Sequence, residues 1–202
     1  MTTTPNCHVP AHHGGFRPTE YAHIVLKTAQ PEALIDWYVA VLGMQVAVRT
    51  PMISMLTWDD SQDRLAIIPT PDAVAPPANA TGLHHAAFSV ASLRELCDQY
   101  RSLKAQGIVP LRAWNHGVAT SMYYGDPDGN EIELTVSGFE SVEALNEWFA
   151  TGAFDINPAG VLIDPDELCA RVDAGEAEIE ILEPHPDHLT WLQDHLKGAT
   201  LT

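Results

Sequence analysis

Tyr21-Ala22-His23-Ile24-Val25-Leu26-Lys27 is a stretch that the chain writes twice. Leu83-His84-His85-Ala86-Ala87-Phe88-Ser89-Val90 repeats its shape 62 residues later, with His85 at the offset of His23. Each is a short apolar strand, and each runs into a helix with start signals. Pro31 and Glu32 suit a first helical turn, and Ser92 with Glu95 three residues on forms a capping box. Leu34, Trp37, Tyr38 and Val41 recur at helical spacing, as do Leu93, Leu96, Tyr100 and Leu103, before Gly43 and Gly107 stop the two helices.

Strand-like stretches follow at Gln45 to Val48 and Ile108 to Leu111. The segments beginning at Ser54-Met55 and Ser121-Met122 then align at an offset of 67 residues, and the closing strands run Arg64 to Ile68 and Glu131 to Val136. A five-residue insertion around Ala113 to Gly117 reconciles the two offsets. The expected fold class is α+β: two tandem βαβββ modules, residues 19–69 and 82–137, forming a curved mixed sheet. A Pro- and Ala-rich linker, Pro69 to Thr81, joins them. Residues 1–18 read as a flexible arm and residues 138–202 as an acidic C-terminal extension with helices. In that extension Ser141 caps a helix to Phe149, and Asp164 caps one from Pro165 to about Asp173.

The 202 residues are 46% hydrophobic and 18% charged, enough to bury a core. Lys and Arg number 10 against 27 Asp and Glu, a formal net charge of -17. That balance excludes nucleic acid and anionic membrane surfaces, whose phosphates need clustered Lys and Arg. No apolar run reaches a membrane span, and the polar Met1 to Gly15 does not read as a signal peptide. Cys7, Cys97 and Cys169 form no CxxC pair, so the expected compartment is the reducing cytoplasm. Of 10 histidines, His8, His12 and His13 fall in the arm, and His185, His188 and His195 in the tail, where they read as surface residues.

Strand alternation decides which of the remaining polar residues share a face. His23 lies opposite Ile24 and Leu26, His85 opposite Ala86 and Phe88, and Glu133 opposite Ile132, Leu134 and Val136. Tyr123 lies opposite Met122 and Tyr124. All four fall on the non-helix face of their strands, while His84 falls on the helix face.

The layout resembles the vicinal oxygen chelate superfamily, which includes glyoxalase I, bleomycin-resistance proteins and type I extradiol ring-cleavage dioxygenases. The specific string is in the second copy: His116, Met122-Tyr123, Asp126-Pro127-Asp128-Gly129 and Glu133. It is similar to the extradiol signature at every fixed position. The resemblance implies a cup around a metal site, with His23, His85 and Glu133 as ligands to Fe(II), or alternatively Mn(II). Two imidazoles and a carboxylate are the donor set of non-haem iron oxygenases and leave positions open for a chelating diol and O2. The implied reaction is opening of a catechol-like diol or an aminophenol, with Tyr123 and His116 as catalytic hydrogen-bonding partners. A homo-oligomer is implied as well.

Extradiol enzymes usually carry an acid–base His before the second ligand strand. Here the chain reads Ser61-Gln62-Asp63-Arg64, which leaves Asp63 as the candidate for that proton work. The equivalent of Glu133 in the first copy is Ala66, so only three ligands are available. That count favours oxygen chemistry over two alternatives. One is a glyoxalase-like metal-dependent lyase or isomerase, and the other a ligand-sequestering protein of the same fold.

Overall fold

The computed structural model describes residues 9, 14–77 and 79–182. Cys7, the histidines of the N-terminal arm and those of the C-terminal tail lie outside the described residues. The first copy runs β1 (Ile24–Thr28), α1 (Pro31–Leu42), β2 (Gln45–Arg49), β3 (Ser54–Thr57) and β4 (Leu65–Pro69). The second runs β5 (His85–Ser89), α2 (Leu93–Ala105), β6 (Arg112–Asn115), β7 (Ala119–Gly125) and β8 (Glu131–Ser137). The order βαβββ therefore occurs twice, as the sequence repeat predicts. After it come α3 (Val142–Ala150), α4 (Ala153–Ile156), β9 (Val161–Leu162), α5 (Pro165–Asp173) and α6 (Glu178–Leu182). No helix among the described residues is long and apolar enough to cross a membrane.

The strands form two hydrogen-bonded sheets rather than one. One is ordered β1-β4-β3-β2, and the other β5-β8-β7-β6 with β9 added beyond β6. The four module strands thus follow the same permutation in both copies. The chain divides into two compact units, one of residues 13–85 and 125–131, the other built on residues 86–124 and those from Ile132 onward.

In the first unit β1 runs parallel to β4, with Ile24 opposite Leu65 and Leu26 opposite Ile67. Leu56, Leu65 and Ile67 are buried, as are Leu34, Ile35, Tyr38 and Val41 on one face of α1. Gly43 ends that helix at φ 62°, a left-handed conformation that glycine adopts without strain. The opposite face of the sheet carries exposed Val25 and Ile68.

The turn Asp126-Pro127-Asp128-Gly129 belongs to this unit, and its carboxylate organises it. Asp126 Oδ1 accepts from the backbone N–H groups of Asp128 (2.9 Å) and Asn130 (2.8 Å). Oδ2 accepts from Asn130 Nδ2 (2.8 Å) and the buried Tyr38 hydroxyl (3.2 Å). Gln30 Nε2 adds bonds to Pro127 O (2.8 Å) and Asp128 Oδ1 (2.7 Å). Within this unit the Asp-Pro-x-Gly motif therefore fastens the turn to α1.

In the second unit Leu93, Leu96 and Leu103 of α2 are buried along with Met122, Tyr124, Ile132, Leu134 and Val136. Ser92 caps α2 by accepting from Glu95 N (3.1 Å), while the Glu95 carboxylate reaches back to Ala91 N (3.1 Å). Ser141 and Asp164 cap α3 and α5 as expected. Exposed pairs link α5 to α2, with Arg94 on Asp173 (2.6 Å) and Lys104 on Asp166 (2.6 Å). Such pairs are individually weak, and the buried Cys97 and Cys169 thiols, hydrogen-bonded to each other, form the interior of this junction.

Three expectations are corrected. Ile108 to Leu111 is not a strand; the strand is β6, which pairs antiparallel with β7 from Arg112↔Tyr123 to Asn115↔Thr120. The supposed insertion at Ala113 to Gly117 is this strand and its turn. The extra residues lie earlier, because the offset has already grown to 64 between Gly43 and Gly107 and to 67 between the starts of β2 and β6. His84 is also exposed rather than packed on the helix face, with its Nδ1 2.7 Å from His85 Nδ1.

Asp126→Ala removes a buried acceptor of four hydrogen bonds. It should cost about 2–4 kcal/mol in urea unfolding, with each donor left unsatisfied contributing to the loss.

Candidate active site

In the first unit the approach to β1 is pinned by Arg64. Its Nη1 donates to Tyr21 O (2.8 Å), and its Nε and Nη2 donate to Asp59 Oδ2 (3.1 and 3.0 Å). Ile24 N donates to Arg64 O (3.1 Å), and Arg64 N to Leu56 O (2.8 Å). Both partners of the strand pair are therefore held at their entry points. Asp59 in turn accepts from Ser61 and Thr57, and these bonds with Arg64 hold its carboxyl well below the ordinary carboxylate range.

This local knot positions His23 and Asp63 side by side. His23 Nδ1 stands 3.1 Å from Asp63 Oδ2, with side-chain exposures of 44% and 7%. The turn-like run from Asp59 to Asp63 reads as solvated in sequence, yet Asp63 is buried. His85, at the start of β5, is half-buried.

In the second unit the alternation of β7 and β8 sends Tyr123 and Glu133 away from Met122, Tyr124 and Leu134, and both are nonetheless buried. His116 closes the β6–β7 turn. Its Nδ1 donates to Ala159 O at 2.7 Å, since a carbonyl can only accept. In the neutral ring Nε2 is then the acceptor, and the Tyr123 hydroxyl lies 3.0 Å from it. Burial, the negative charge of Glu133 and a hydrogen bond to it push the Tyr123 phenol well above its ordinary pKa, against an opposing pull from Arg112. The single Tyr123 O–H thus lies between two acceptors, His116 Nε2 and the Glu133 carboxylate.

Three contributors escaped the sequence reading. The Arg112 guanidinium stacks 4.2 Å above the Tyr123 ring, as a cation–π pair. Trp114 stacks on His116 with centroids 5.9 Å apart and an interplanar angle of 8°. The Ala159 carbonyl is supplied by a loop that lies against β6. Alternation in β6 would have put Arg112 and Trp114 on one face, had the strand been read four residues later.

Among the described residues no three His, Cys, Asp or Glu side chains gather closely enough to hold a metal ion. His23, Asp63 and His85 belong to the first unit, and His116, Tyr123 and Glu133 to the second.

Gly160, at φ 84°, lets the Ala159 loop approach, since an added Cβ would stand 2.2 Å from Asn115 O and 2.5 Å from His116 Cα. Gly160→Ala should therefore cost about 3 kcal/mol through overpacking and backbone strain, read as a lower Tm. Alkaline stability follows from the buried phenols. Tyr38, Tyr123 and Tyr124 all have folded pKa values above the ordinary one, each chiefly through burial. The unfolded chain ionises them near pH 10 and the folded chain does not. Their contribution is complete below about pH 10 and falls above it, which urea titrations from pH 8 to 11 should show.

The family model described as Glyoxalase/Bleomycin resistance protein/Dioxygenase superfamily matches residues 20–134. A Rhodococcus globerulus protein named biphenyl-2,3-diol 1,2-dioxygenase 2 is 37% identical over 157 residues, 77% of this chain and 83% of the relative. A second from the same organism, biphenyl-2,3-diol 1,2-dioxygenase 3, is 36% identical over 79% of this chain and 85% of its own length. Catechol-2,3-dioxygenase of Bacillus subtilis is 32% identical over 56% of this chain and 39% of its own. Among solved structures, a glyoxalase/dioxygenase from Nostoc punctiforme superposes with a TM-score of 0.51 at 18% identity, covering 63% of this chain and 99% of its own, a likeness of fold. With the duplicated βαβββ order, these matches establish that the chain belongs to the Glyoxalase/Bleomycin resistance protein/Dioxygenase superfamily.

Proposed function

We propose that the protein is a dioxygenase that opens an aromatic diol with O2 at a non-haem Fe(II) held by His23, His85 and Glu133. The observation that carries the reading is that half-buried His116 and buried Tyr123 and Glu133, three fixed residues of the extradiol string, stand each within hydrogen-bonding reach of the next. The two Rhodococcus relatives, aligned over more than three quarters of this chain, are named for a dioxygenase acting on biphenyl-2,3-diol and support the same class of substrate.

The donor chemistry fits such a metal. Two imidazoles and one carboxylate suit ferrous iron, and Glu133, only 7% exposed, is a carboxylate whose buried charge a cation would stabilise. Bound Fe(II) supplies a centre at which the diol and O2 are activated together. Ala66, the first-copy counterpart of Glu133, offers no fourth donor, which weighs against a glyoxalase-type reaction.

The residues of the chain handle protons and orientation. Tyr123, neutral at physiological pH, holds its hydroxyl oxygen 3.0 Å from His116 Nε2, within reach for its O–H to turn from Glu133 to the imidazole. A diol hydroxyl that loses its proton on binding passes it to the Tyr123 oxygen as Tyr123 hands its own to His116. The bond from His116 Nδ1 to Ala159 O holds the imidazole in the tautomer that can receive that proton. Arg112, stacked on the phenol ring, places a positive charge beside the oxygens of the deprotonating diol.

Anaerobic loading with Fe(II), followed by air and a panel of 2,3-dihydroxybiphenyl and catechols, should give O2 uptake matched by a yellow ring-opened product. No O2 uptake across the panel with iron bound overturns the reading. Glu133→Ala should abolish iron binding, whereas His116→Ala should keep iron and slow turnover about 100-fold or more.

A further inference from the structure

Asp63 is the candidate for proton work by its place in the chain, but its surroundings point to different work. Its side chain is 7% exposed. Oδ2 is buried and accepts no well-aligned hydrogen bond, which leaves a charged oxygen short of a donor. The group standing 3.1 Å from that oxygen is His23 Nδ1. The approach is within hydrogen-bonding distance, although the structure does not align it as a hydrogen bond.

Backbone and side-chain bonds hold the pair in register. The parallel pairing of β1 with β4 puts Ile24 opposite Leu65, so the residues preceding both strands lie at one end of the sheet. Ile24 N is bonded to Arg64 O and Arg64 Nη1 to Tyr21 O, which fixes the main chain on either side of His23 and just after Asp63. The meeting of Asp63 with His23 is thus set by strand pairing and by the bonds at the strand entries.

A carboxylate beside one imidazole nitrogen has a defined consequence. It accepts from that nitrogen, keeps the proton there, and leaves the other nitrogen as the basic, outward-facing one. In this way a carboxylate both orients a metal-binding His and makes it a stronger donor. We infer that Asp63 is the positioning residue of His23, fixing its Nδ1–H tautomer so that Nε2 is the nitrogen offered to the metal. The inference rests on the reading of His23 as a ligand. It reassigns Asp63 from proton transfer to substrate toward orientation of a ligand, and it accounts for a buried carboxylate at a position whose local sequence reads as a solvated turn.

The test uses the full-length chain. Fe(II) affinity is measured anaerobically by competition with a chelator for the parent, Asp63→Ala, Asp63→Asn and His23→Ala. The His23 tautomer is read at pH 8 from ring 15N shifts in long-range 1H–15N spectra of the metal-free protein. Asp63→Ala should weaken Fe(II) binding by about 10- to 100-fold and shift the ring from the Nδ1–H toward the Nε2–H form. Asp63→Asn keeps the volume and a neutral acceptor, so it should fold as the parent does and show a smaller shift in both readouts. Parental affinity in both Asp63 variants, or weakened affinity with an unchanged ring signature, overturns the positioning role. In that case loss of iron in His23→Ala leaves the ligand reading standing. Parental iron affinity in His23→Ala overturns the ligand reading itself, and the inference with it.

Discussion

The parallel pairing of β1 with β4 governs the first unit. A parallel pair cannot be closed by a tight turn, so the chain returns through α1 and the β2–β3 hairpin before β4 lies beside β1. The sheet order β1-β4-β3-β2 follows from that detour. Parallel strands also begin at the same end of a sheet, and this brings the residues preceding them together. His23 and Asp63, 40 positions apart, become neighbours by this route.

The second unit repeats the strand order and puts it to other use. β7 and β8 are buried on both faces, so the alternation that sends Met122 and Tyr124 into the helix-side core also sends Tyr123 and Glu133 into a second interior. There the polar groups must find partners. Tyr123 finds His116 and Glu133, and His116 finds the Ala159 carbonyl through the close approach that Gly160 permits. The Asp126 turn does separate work: its carboxylate satisfies four donors and ties the turn to α1 within the first unit.

Much of this was legible in local patterns. Caps at Ser92, Ser141 and Asp164, the stop at Gly43 and the facing of Tyr123 depend on neighbours within a few residues, where chain geometry is decisive. The errors arose where partners are distant. Ile108 to Leu111 is apolar enough to read as a strand, but the strand is β6, made of the more polar Arg112 to Asn115, because that is the segment that hydrogen-bonds β7. Arg112 and Trp114 were missed for the same reason. Asp63 sits in a run of turn-forming residues, and only its place beside the entry to β1 makes it buried.

The sequence by itself determined the duplication, the βαβββ order, the helix termini and the set of polar residues turned away from the helix face. These follow from periodicities and caps that act over three to seven residues. Tertiary structure alone decided which polar groups meet. Asp63 with His23, Asp126 with Tyr38, and His116 with Ala159 are each joined across 40 or more residues. Strand register and loop approach set those pairings, and neither is written in any one segment, because each depends on two segments packing at once.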